Sequence, residues 1–511
     1  MNMKNDKNAK LLLKYIVIWA ICALIIFIPF IPGRKSLVIV DDGFNQCYPA
    51  LAYLGQWYRE LIKGNLIQYD FTIGFGDDVF GCMSWYGLGD ILLVPFCLVP
   101  ENLLELSYTL SILFRLFLAG LLFLLVVGEE IPDYSKITGA IVYSFCPYVF
   151  NYSFIFLIFA TPMVWIPLIA LGVKEILKKS KKISLKLFFG TFFLALSGFY
   201  FLFMAIIAFA VYLFMNCVIT FEYDNESIKE KLNRTLSILI TVVMATLCAS
   251  IELVPLIEHF AQSPRTSSIS FSFSNLFGFR KILDATDTNV LFSEFSSIVL
   301  NGKDYDLFKM PLLPAVFLIC FFYLIRHSKQ IKKQKLVWTS TLAVFSIVSE
   351  GVAIIMNGFS YPYTRYHVFV YFIIAYVIAE TIPYIADEWD FIDSFFVVIV
   401  IIGNTYNSLK TRLNGNADRW LFFYVIAPIF MLIFLTLKNK YSTYIISIIT
   451  IAFVIMYGYL FNTTFEEGGN GFNGATYWMH GAQEAIETSS LYEVSRLDKI
   501  GGYGMISKVE Q

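Results

Sequence analysis

The sequence predicts an all-α integral membrane protein that crosses the bilayer about thirteen times. Hydrophobic residues make up 58% of the 511 residues and charged residues only 15%, whereas about a quarter of the residues in soluble domains are charged. Apolar runs near the length of about twenty residues that one helical span requires recur along the whole chain. The outer surface is therefore predicted to face hydrocarbon.

The candidate spans begin directly after a short basic segment. They cover residues 11–31, 106–127, 137–151, 156–176, 184–197, 200–219, 236–258, 310–325, 336–356, 366–384, 393–409, 419–437 and 441–461. The first run is too long for a signal-peptide core and no cleavage site follows it, so it is interpreted as a retained span. The pair on either side of Ser197-Gly198 could instead form one long tilted helix. The run 88–99 is too short to cross and is expected at the interface or re-entering.

The distribution of Lys and Arg predicts the orientation, because these residues favour cytoplasmic loops. With a cytoplasmic N-terminus, every basic cluster falls on the cytoplasmic side; the clusters are Lys4–Lys14, Lys178–Lys182, Arg326–Lys335 and Lys438–Lys440. Residues 1–461 then form the transmembrane domain, with extracytoplasmic loops at 33–105 and 259–309. The tail 462–511 is predicted to be extracytoplasmic as well.

Several function classes lack support in the sequence. A net charge of −1 gives no basis for nucleic-acid binding. No dinucleotide-binding fingerprint, P-loop, zinc-protease or serine-hydrolase motif occurs, and the eight cysteines show no metal-binding spacing. Cys47 and Cys82 share the first outside loop and could pair there. No internal repeat supports an inverted-repeat transporter.

The first outside loop concentrates polar groups beside the membrane. Asp41 and Asp42 follow the first span directly, and residues 50–63 have the apolar spacing of a helix lying in the interface plane. The plainer interpretation of the two carboxylates is a solvated loop start, since Asp favours turns. Carboxylates in such a loop could also hold a divalent cation (Mg²⁺ or Mn²⁺), with Asp42 and Asp78 as ligands, or supply a general base.

The order and spacing of several motifs over residues 10 to 385 resemble the bacterial YfhO family. These motifs are Asp42-x-x-x-Gln46, Gly74-x-Gly76-x-Asp78, Tyr86-x-Leu88-Gly89-Asp90, Ser197-Gly198-Phe199-Tyr200 and Ser360-Tyr361-Pro362-Tyr363-Thr364-Arg365-Tyr366. The resemblance implies a GT-C-like inverting glycosyltransferase. Such an enzyme takes a sugar from a polyprenyl-phosphate donor and transfers it to a cell-envelope polymer, such as teichoic acid, outside the membrane. The tail after residue 461 is shorter than the resemblance implies, as in a short or truncated member.

The resemblance also suggests roles for individual residues. Asp42, with Asp41 next, would be the base that deprotonates the acceptor hydroxyl, and Gln46 would contact substrate. Asp78 and Asp90 would support substrate or metal, with helix capping or turn formation as the plainer role.

For the departing lipid phosphate we favour Arg365, because arginine binds phosphate with a planar fork of donors. Tyr361 and Tyr363 would seat sugar or lipid, although an arginine among tyrosines is also typical of an interfacial belt. Arg265 is a lesser candidate. Glu252 lies within a predicted span, where a carboxylate indicates function, unless it forms an ion pair with Arg115.

Two other functions remain open from the sequence. A transporter or flippase of lipid-linked saccharides would keep its polar groups near the bilayer midplane, whereas the polar residues here gather at the outer rim. A non-catalytic subunit for envelope assembly is the second alternative, suggested by the short tail.

Overall fold

The structure is a computed structural model, and it confirms the all-α multi-span class. It describes residues 2–31, 35–39, 42–73, 76–178, 182–219, 226–262, 312–329, 333–359, 363–399, 401–402, 427–436, 441–466 and 476–478. Six helices in this part are long and apolar enough to cross a membrane, and shorter apolar helices accompany them. Helices dominate because a chain in hydrocarbon must satisfy its own backbone hydrogen bonds. The count of about thirteen spans stays a prediction.

The first half of the described chain forms a helical bundle interrupted by the first loop. Its helices are α1 (Asn2–Phe27), α2 (Tyr48–Ile62), α3 (Val79–Met83), α4 (Val94–Cys97), α5 (Leu104–Val126), α6 (Asp133–Ser144), α7 (Thr161–Leu177), α8 (Leu185–Ser197) and α9 (Phe199–Val218). The chain breaks at Gly198 between α8 and α9. The interpretation of this region as two helices is therefore confirmed.

The second half continues the bundle with shorter helices. They are α10 (Ile228–Cys248), α11 (Ser250–Gln262), α12 (Leu312–His327), α13 (Gln334–Val348), α14 (Glu350–Met356), α15 (His367–Thr381), α16 (Ala427–Thr436) and α17 (Ser442–Glu466), and residues 391–399 are also helical. The predicted spans 236–258 and 336–356 are wrong as single helices. The first divides at Ala249, and the second divides at Ser349, whose side chain caps α14 by accepting from the Val352 amide.

The predicted span 137–151 is also not a continuous helix. α6 ends at Ser144, and an irregular buried segment with a π-helix at Val149–Ser153 leads to α7. Irregular backbone at membrane depth requires burial in protein, and residues 141–160 are buried apart from the half-buried Ile155. The segment thus forms an internal wall of the bundle.

Two short antiparallel strand pairs complete the described structure. β1 (Lys35–Ile39) pairs with β4 (Thr476–Trp478), so part of the C-terminal tail joins the chain that follows α1. β2 (Tyr69–Asp70) pairs with β3 (Asp77–Asp78) within the first loop. Cys47 and Cys82 form no disulfide.

Basic residues from distant parts of the chain gather on one face of the bundle. At the end of α15, Lys333 Nζ donates to Glu380 at 2.7 Å, and the Gly128 amide donates to the same carboxylate at 3.0 Å. Nearby, Lys14 pairs with Asp133 in the first turn of α6 at 2.8 Å. We call this side of the bundle the basic face.

The opposite side carries the first loop and the start of α15. α15 has 15 residues, so at 1.5 Å per residue the two sides lie about 22 Å apart along it. We call residues 42–73, 76–100 and 363–366 the loop face. The predicted orientation places the basic face in the cytoplasm and the loop face outside.

Candidate functional site

A chain of hydrogen bonds fixes Asp42 on the loop face. Asp42 precedes a π-helix at Gly43–Cys47, a rare conformation that often marks functional sites. Gln46 Nε2 donates to Asp42 Oδ1, and the Tyr86 hydroxyl donates to Gln46 Oε1 at 3.0 Å. Gln46 and Tyr86 are buried, whereas Asp42 is only half-buried. The carboxylate is therefore oriented from inside the protein and still reaches the surface.

The order of donors and acceptors in this chain determines which end of the Gln46 amide faces Asp42. A glutamine side chain has an acceptor oxygen and a donor nitrogen. Since the Tyr86 hydroxyl donates to the oxygen, the nitrogen is directed at the carboxylate. The donor end of the amide therefore faces an acceptor oxygen of Asp42.

Three aromatic rings surround Arg365. Its guanidinium carbon lies 4.6 Å from the ring centre of Tyr363, 5.1 Å from that of Phe159 and 5.6 Å from that of Tyr200. We call these rings the aromatic cage. Each contact lies within the range of a cation–π interaction. The Tyr200 hydroxyl donates to Asn357 Oδ1 at 2.6 Å, which holds that ring in place.

Trp85 and Tyr86 connect the Asp42 network to the aromatic cage. The Trp85 ring lies 6.4 Å from Phe159 and 6.0 Å from Tyr200, centre to centre. The next residue, Tyr86, donates to the Gln46 amide that holds Asp42. Asp42 and Arg365, the acid and the arginine predicted from the sequence, are thus linked through the dipeptide Trp85-Tyr86.

A buried ion pair anchors the segment that carries this dipeptide. Arg115 binds Asp90 at 2.8 Å, and both side chains are fully buried. Asp90 also accepts from the Thr161 hydroxyl at 2.7 Å and from the Leu92 amide at 2.9 Å. The alternative of a pair between Arg115 and Glu252 is therefore wrong, because the guanidinium lies against Asp90 instead.

Glu252 holds the same segment from α11. Its Oε1 accepts from the Gly89 amide at 3.2 Å, and its side chain is buried. Glu252 thus joins α11 to the loop segment that also bears Trp85 and Tyr86. A buried carboxylate needs such partners, since an unpaired one is costly.

Other residues approach Gly89 so closely that adding a single methyl group there should destabilise the protein. A Cβ built on Gly89 would lie 1.8 Å from Glu252 Oε2 and 2.6 Å from the Leu196 carbonyl oxygen. We expect Gly89→Ala to lower the free energy of unfolding by about 1–3 kcal/mol. A reduced apparent Tm of the purified protein in detergent would show it.

Gly198→Ala is the matched control. A Cβ at that position would meet only a Phe201 ring carbon at 3.6 Å, an ordinary contact. Equal Tm values for the two alanine variants would contradict the packing assigned to Gly89.

Asp78 caps a short helix in the first loop. Its Oδ2 accepts from the Gly81 amide at 2.6 Å, at the start of α3. This is the plainer of the two roles that the sequence suggested. Asp78 remains half-buried on the loop face.

The predicted cation ligands, Asp42 and Asp78, belong to no group of three or more potential metal ligands in the described part of the chain. The group found in that part consists of His327, Asp390 and Asp393. It adjoins Arg326, which pairs with Asp390 at 2.6 Å and also with Asp393. This group includes neither Asp42 nor Asp78, so the cation at those two residues stays a prediction.

Some predicted site residues lie outside the described part of the chain, and some residues that contact the site were not predicted. Asp41, Tyr361 and Arg265 lie outside the described residues. Trp85, Phe159 and Tyr152 were not predicted, although Tyr152 bonds the Thr364 hydroxyl beside Arg365. Phe159 and Tyr152 could have been found from the many aromatic residues that follow Pro147. Pro147 itself interrupts the predicted span 137–151.

Comparisons with known proteins give a family match and a similar solved structure. The family described as bacterial membrane protein YfhO matches residues 15–489. No curated protein matches the chain. Among solved structures, the crystal structure of ArnT from Cupriavidus metallidurans bound to undecaprenyl phosphate matches with 11% sequence identity. The TM-score is 0.45, and the match covers 89% of this chain and 78% of that chain.

The family match spans nearly the whole chain, from within α1 to beyond β4, and contains each residue of the candidate site. It also contains the motifs at Asp42, Gly89 and Arg365 on which the resemblance depended. The chain belongs to the YfhO family of bacterial membrane proteins.

Proposed function

We propose that this protein is a membrane glycosyltransferase. It moves a sugar from a polyprenyl-phosphate donor to a cell-envelope polymer, such as teichoic acid, at the loop face. Family membership supports this proposal, and one geometric observation carries it. Asp42 and the aromatic cage of Arg365 are connected through Trp85 and Tyr86, so an oriented acid and a cation belong to one connected set of side chains.

The proposed reaction is a single displacement with inversion at the anomeric carbon. The acceptor hydroxyl oxygen forms the new bond to that carbon, while the bond from the carbon to the lipid phosphate oxygen breaks. The hydroxyl proton goes to the Asp42 carboxylate, and the bonding electron pair leaves with the polyprenyl phosphate. General-base catalysis requires the carboxylate within hydrogen-bond reach of the hydroxyl, and the hydrogen bond from Gln46 fixes its direction.

Arg365 stabilises the departing lipid phosphate as negative charge builds up on the phosphate oxygens. A guanidinium binds phosphate oxygens with two parallel donors, and an arginine also stacks on aromatic faces. In this proposal the aromatic cage holds the guanidinium of Arg365 beside the sugar and the lipid phosphate. The flat ring of Tyr363 would pack against an apolar face of the sugar. The acid and the arginine thus act on opposite ends of the reaction.

Arg365→Lys is expected to reduce sugar transfer by about 10- to 100-fold, because a charged hydrogen bond contributes about 1.5–3 kcal/mol. The lysine keeps the charge and loses the planar fork. Arg59→Lys is the matched control, since Arg59 also lies on the loop face and donates to the Val99 carbonyl at 2.7 Å. Equal activity of the two variants would show that Arg365 does not take part in sugar transfer.

The decisive experiment separates transfer from transport. Purified protein in proteoliposomes receives a radiolabelled polyprenyl-phosphate sugar and an extract of envelope polymer. Label that appears on the polymer, with release of polyprenyl phosphate, supports the transferase. Label that crosses the bilayer while still attached to lipid would support a flippase and overturn the proposal.

A further inference from the structure

The buried hydroxyl of Tyr148 requires a partner that the described part of the chain does not supply. Tyr148 is 1% exposed, and its hydroxyl has no hydrogen-bond partner among the described residues. Leaving a buried polar group without a partner is costly, and most such groups in native structures are paired with protein or water. The hydroxyl therefore calls for a partner from outside the protein, either a water molecule or a ligand.

Ring contacts place Tyr148 beside the aromatic cage. Its ring lies 5.2 Å from that of Tyr152, centre to centre. The Tyr152 ring in turn lies 6.1 Å from that of Tyr363, which belongs to the cage. The Tyr152 hydroxyl also bonds the Thr364 hydroxyl, next to Arg365 in the chain. The irregular segment that carries Tyr148 is thus fixed against the residues around Arg365.

The charge of Arg365 acts on the Tyr148 hydroxyl. Both this charge and the Tyr200 hydroxyl lie within electrostatic reach of it, and the Tyr200 hydroxyl donates its own hydrogen to Asn357 Oδ1 at 2.6 Å. A guanidinium has only donors, so Arg365 cannot accept a hydrogen bond from Tyr148. An anion with several acceptor oxygens, such as phosphate, can accept from Tyr148 and Arg365 together.

We propose that Tyr148 donates a hydrogen bond to the phosphate of the polyprenyl-phosphate lipid, alongside Arg365. This inference rests on the proposed function, which supplies that lipid, and it adds a second phosphate-binding residue to the site. Phosphate suits this position better than a sugar hydroxyl, because its negative charge is attracted to Arg365 and strengthens the hydrogen bond from Tyr148. Arg365 and Tyr363 are half-buried, so the cage has a surface that a ligand can contact.

The test measures lipid binding by native mass spectrometry of the full-length protein in neutral detergent. The probes are undecaprenyl phosphate and undecaprenol, which lacks the phosphate. We expect Tyr148→Phe to bind undecaprenyl phosphate about 10- to 100-fold more weakly than the native protein, the range for a hydrogen bond to a charged group. Its affinity for undecaprenol should be unchanged. The apparent Tm without lipid should not fall, because the deleted hydroxyl bonds to none of the described residues.

Tyr143→Phe is the matched control. Tyr143, in α6, is also fully buried, but its hydroxyl donates to the Met163 carbonyl oxygen at 3.1 Å. This variant should have a lower apparent Tm and an unchanged affinity for undecaprenyl phosphate. Equal losses of affinity in the two variants, or equal losses for the two lipids in Tyr148→Phe, would overturn the proposal.

The binding measurement separates the role of Tyr148 from the proposed function. A loss of affinity that is specific to the phosphate supports this role even if the protein moves the intact lipid and transfers no sugar. If the native protein transfers sugar and Tyr148→Phe binds undecaprenyl phosphate as tightly as the native protein, the role of Tyr148 alone is overturned. A water molecule as the partner of the hydroxyl predicts this second result.

Discussion

Replacing Asp42 by Asn is expected to lower sugar transfer by about 10²- to 10⁴-fold, the range that general acid–base catalysis contributes. Asparagine has nearly the same shape, and its oxygen can still accept from Gln46. The substitution thus removes the proton acceptor and leaves the hydrogen-bond network in place. The measurement compares the sugar content of envelope polymers, and release of polyprenyl phosphate in vesicles, at equal amounts of protein in the membrane.

Glu60→Gln controls for loss of any carboxylate from the first loop. Glu60 lies at the end of α2 and pairs with Lys63 at 2.7 Å, away from the Asp42 network. It should retain full transfer activity. If Asp42→Asn also retained full activity with normal expression, the base would have to be another residue.

Tyr86→Phe tests whether the network positions Asp42. It removes the hydroxyl that orients Gln46 and keeps the ring. Because the base itself remains, a smaller loss of kcat than that of Asp42→Asn is expected, with little change in KM. A loss confined to KM would instead place Tyr86 in substrate binding.

Arg115→Met is expected to lower the free energy of unfolding by about 3–5 kcal/mol, the cost of leaving a buried charge without its partner. Methionine has a similar length and is apolar, but Asp90 would then retain only the Thr161 and Leu92 donors in a fully buried position. The apparent Tm in detergent and the fraction of protein that elutes as a single species measure the effect.

The double variant Asp90→Asn/Arg115→Met should recover much of this loss, because a neutral amide can be buried at lower cost than a carboxylate. Coupling of this kind is what a double-mutant cycle detects. Strictly additive losses would show that the two side chains do not stabilise each other.

Local patterns predicted the parts of this protein that depend on neighbouring residues. The apolar runs predict most of the described helices, and Ser197-Gly198 marks the break between α8 and α9. Asp42 and Gln46 are four residues apart, a spacing that brings side chains together on one helical turn, and the structure shows them bonded. Tyr363 is two residues from Arg365, and its ring lies 4.6 Å from the guanidinium.

Local patterns failed where a short polar interruption breaks a helix inside a long apolar run. The predicted spans 236–258 and 336–356 run through Ala249 and Ser349, although Ser250 and the pair Ser349-Glu350 interrupt the apolar pattern there. In the structure, each position ends one helix and begins another. Hydrophobicity requires burial in lipid or protein, but it does not specify whether the backbone stays helical once it is buried in protein.

Composition and hydropathy were sufficient to predict a multi-span membrane protein, and its motifs were sufficient to predict Asp42 and Arg365 as site residues. The pairing of Asp90 with Arg115, and the packing of Phe159 and Tyr200 around Arg365, are visible in the folded structure alone. These contacts join residues that are far apart in the sequence. Composition and periodicity report how a residue relates to solvent and to its own helix, whereas ion pairs and ring contacts between helices depend on how those helices pack.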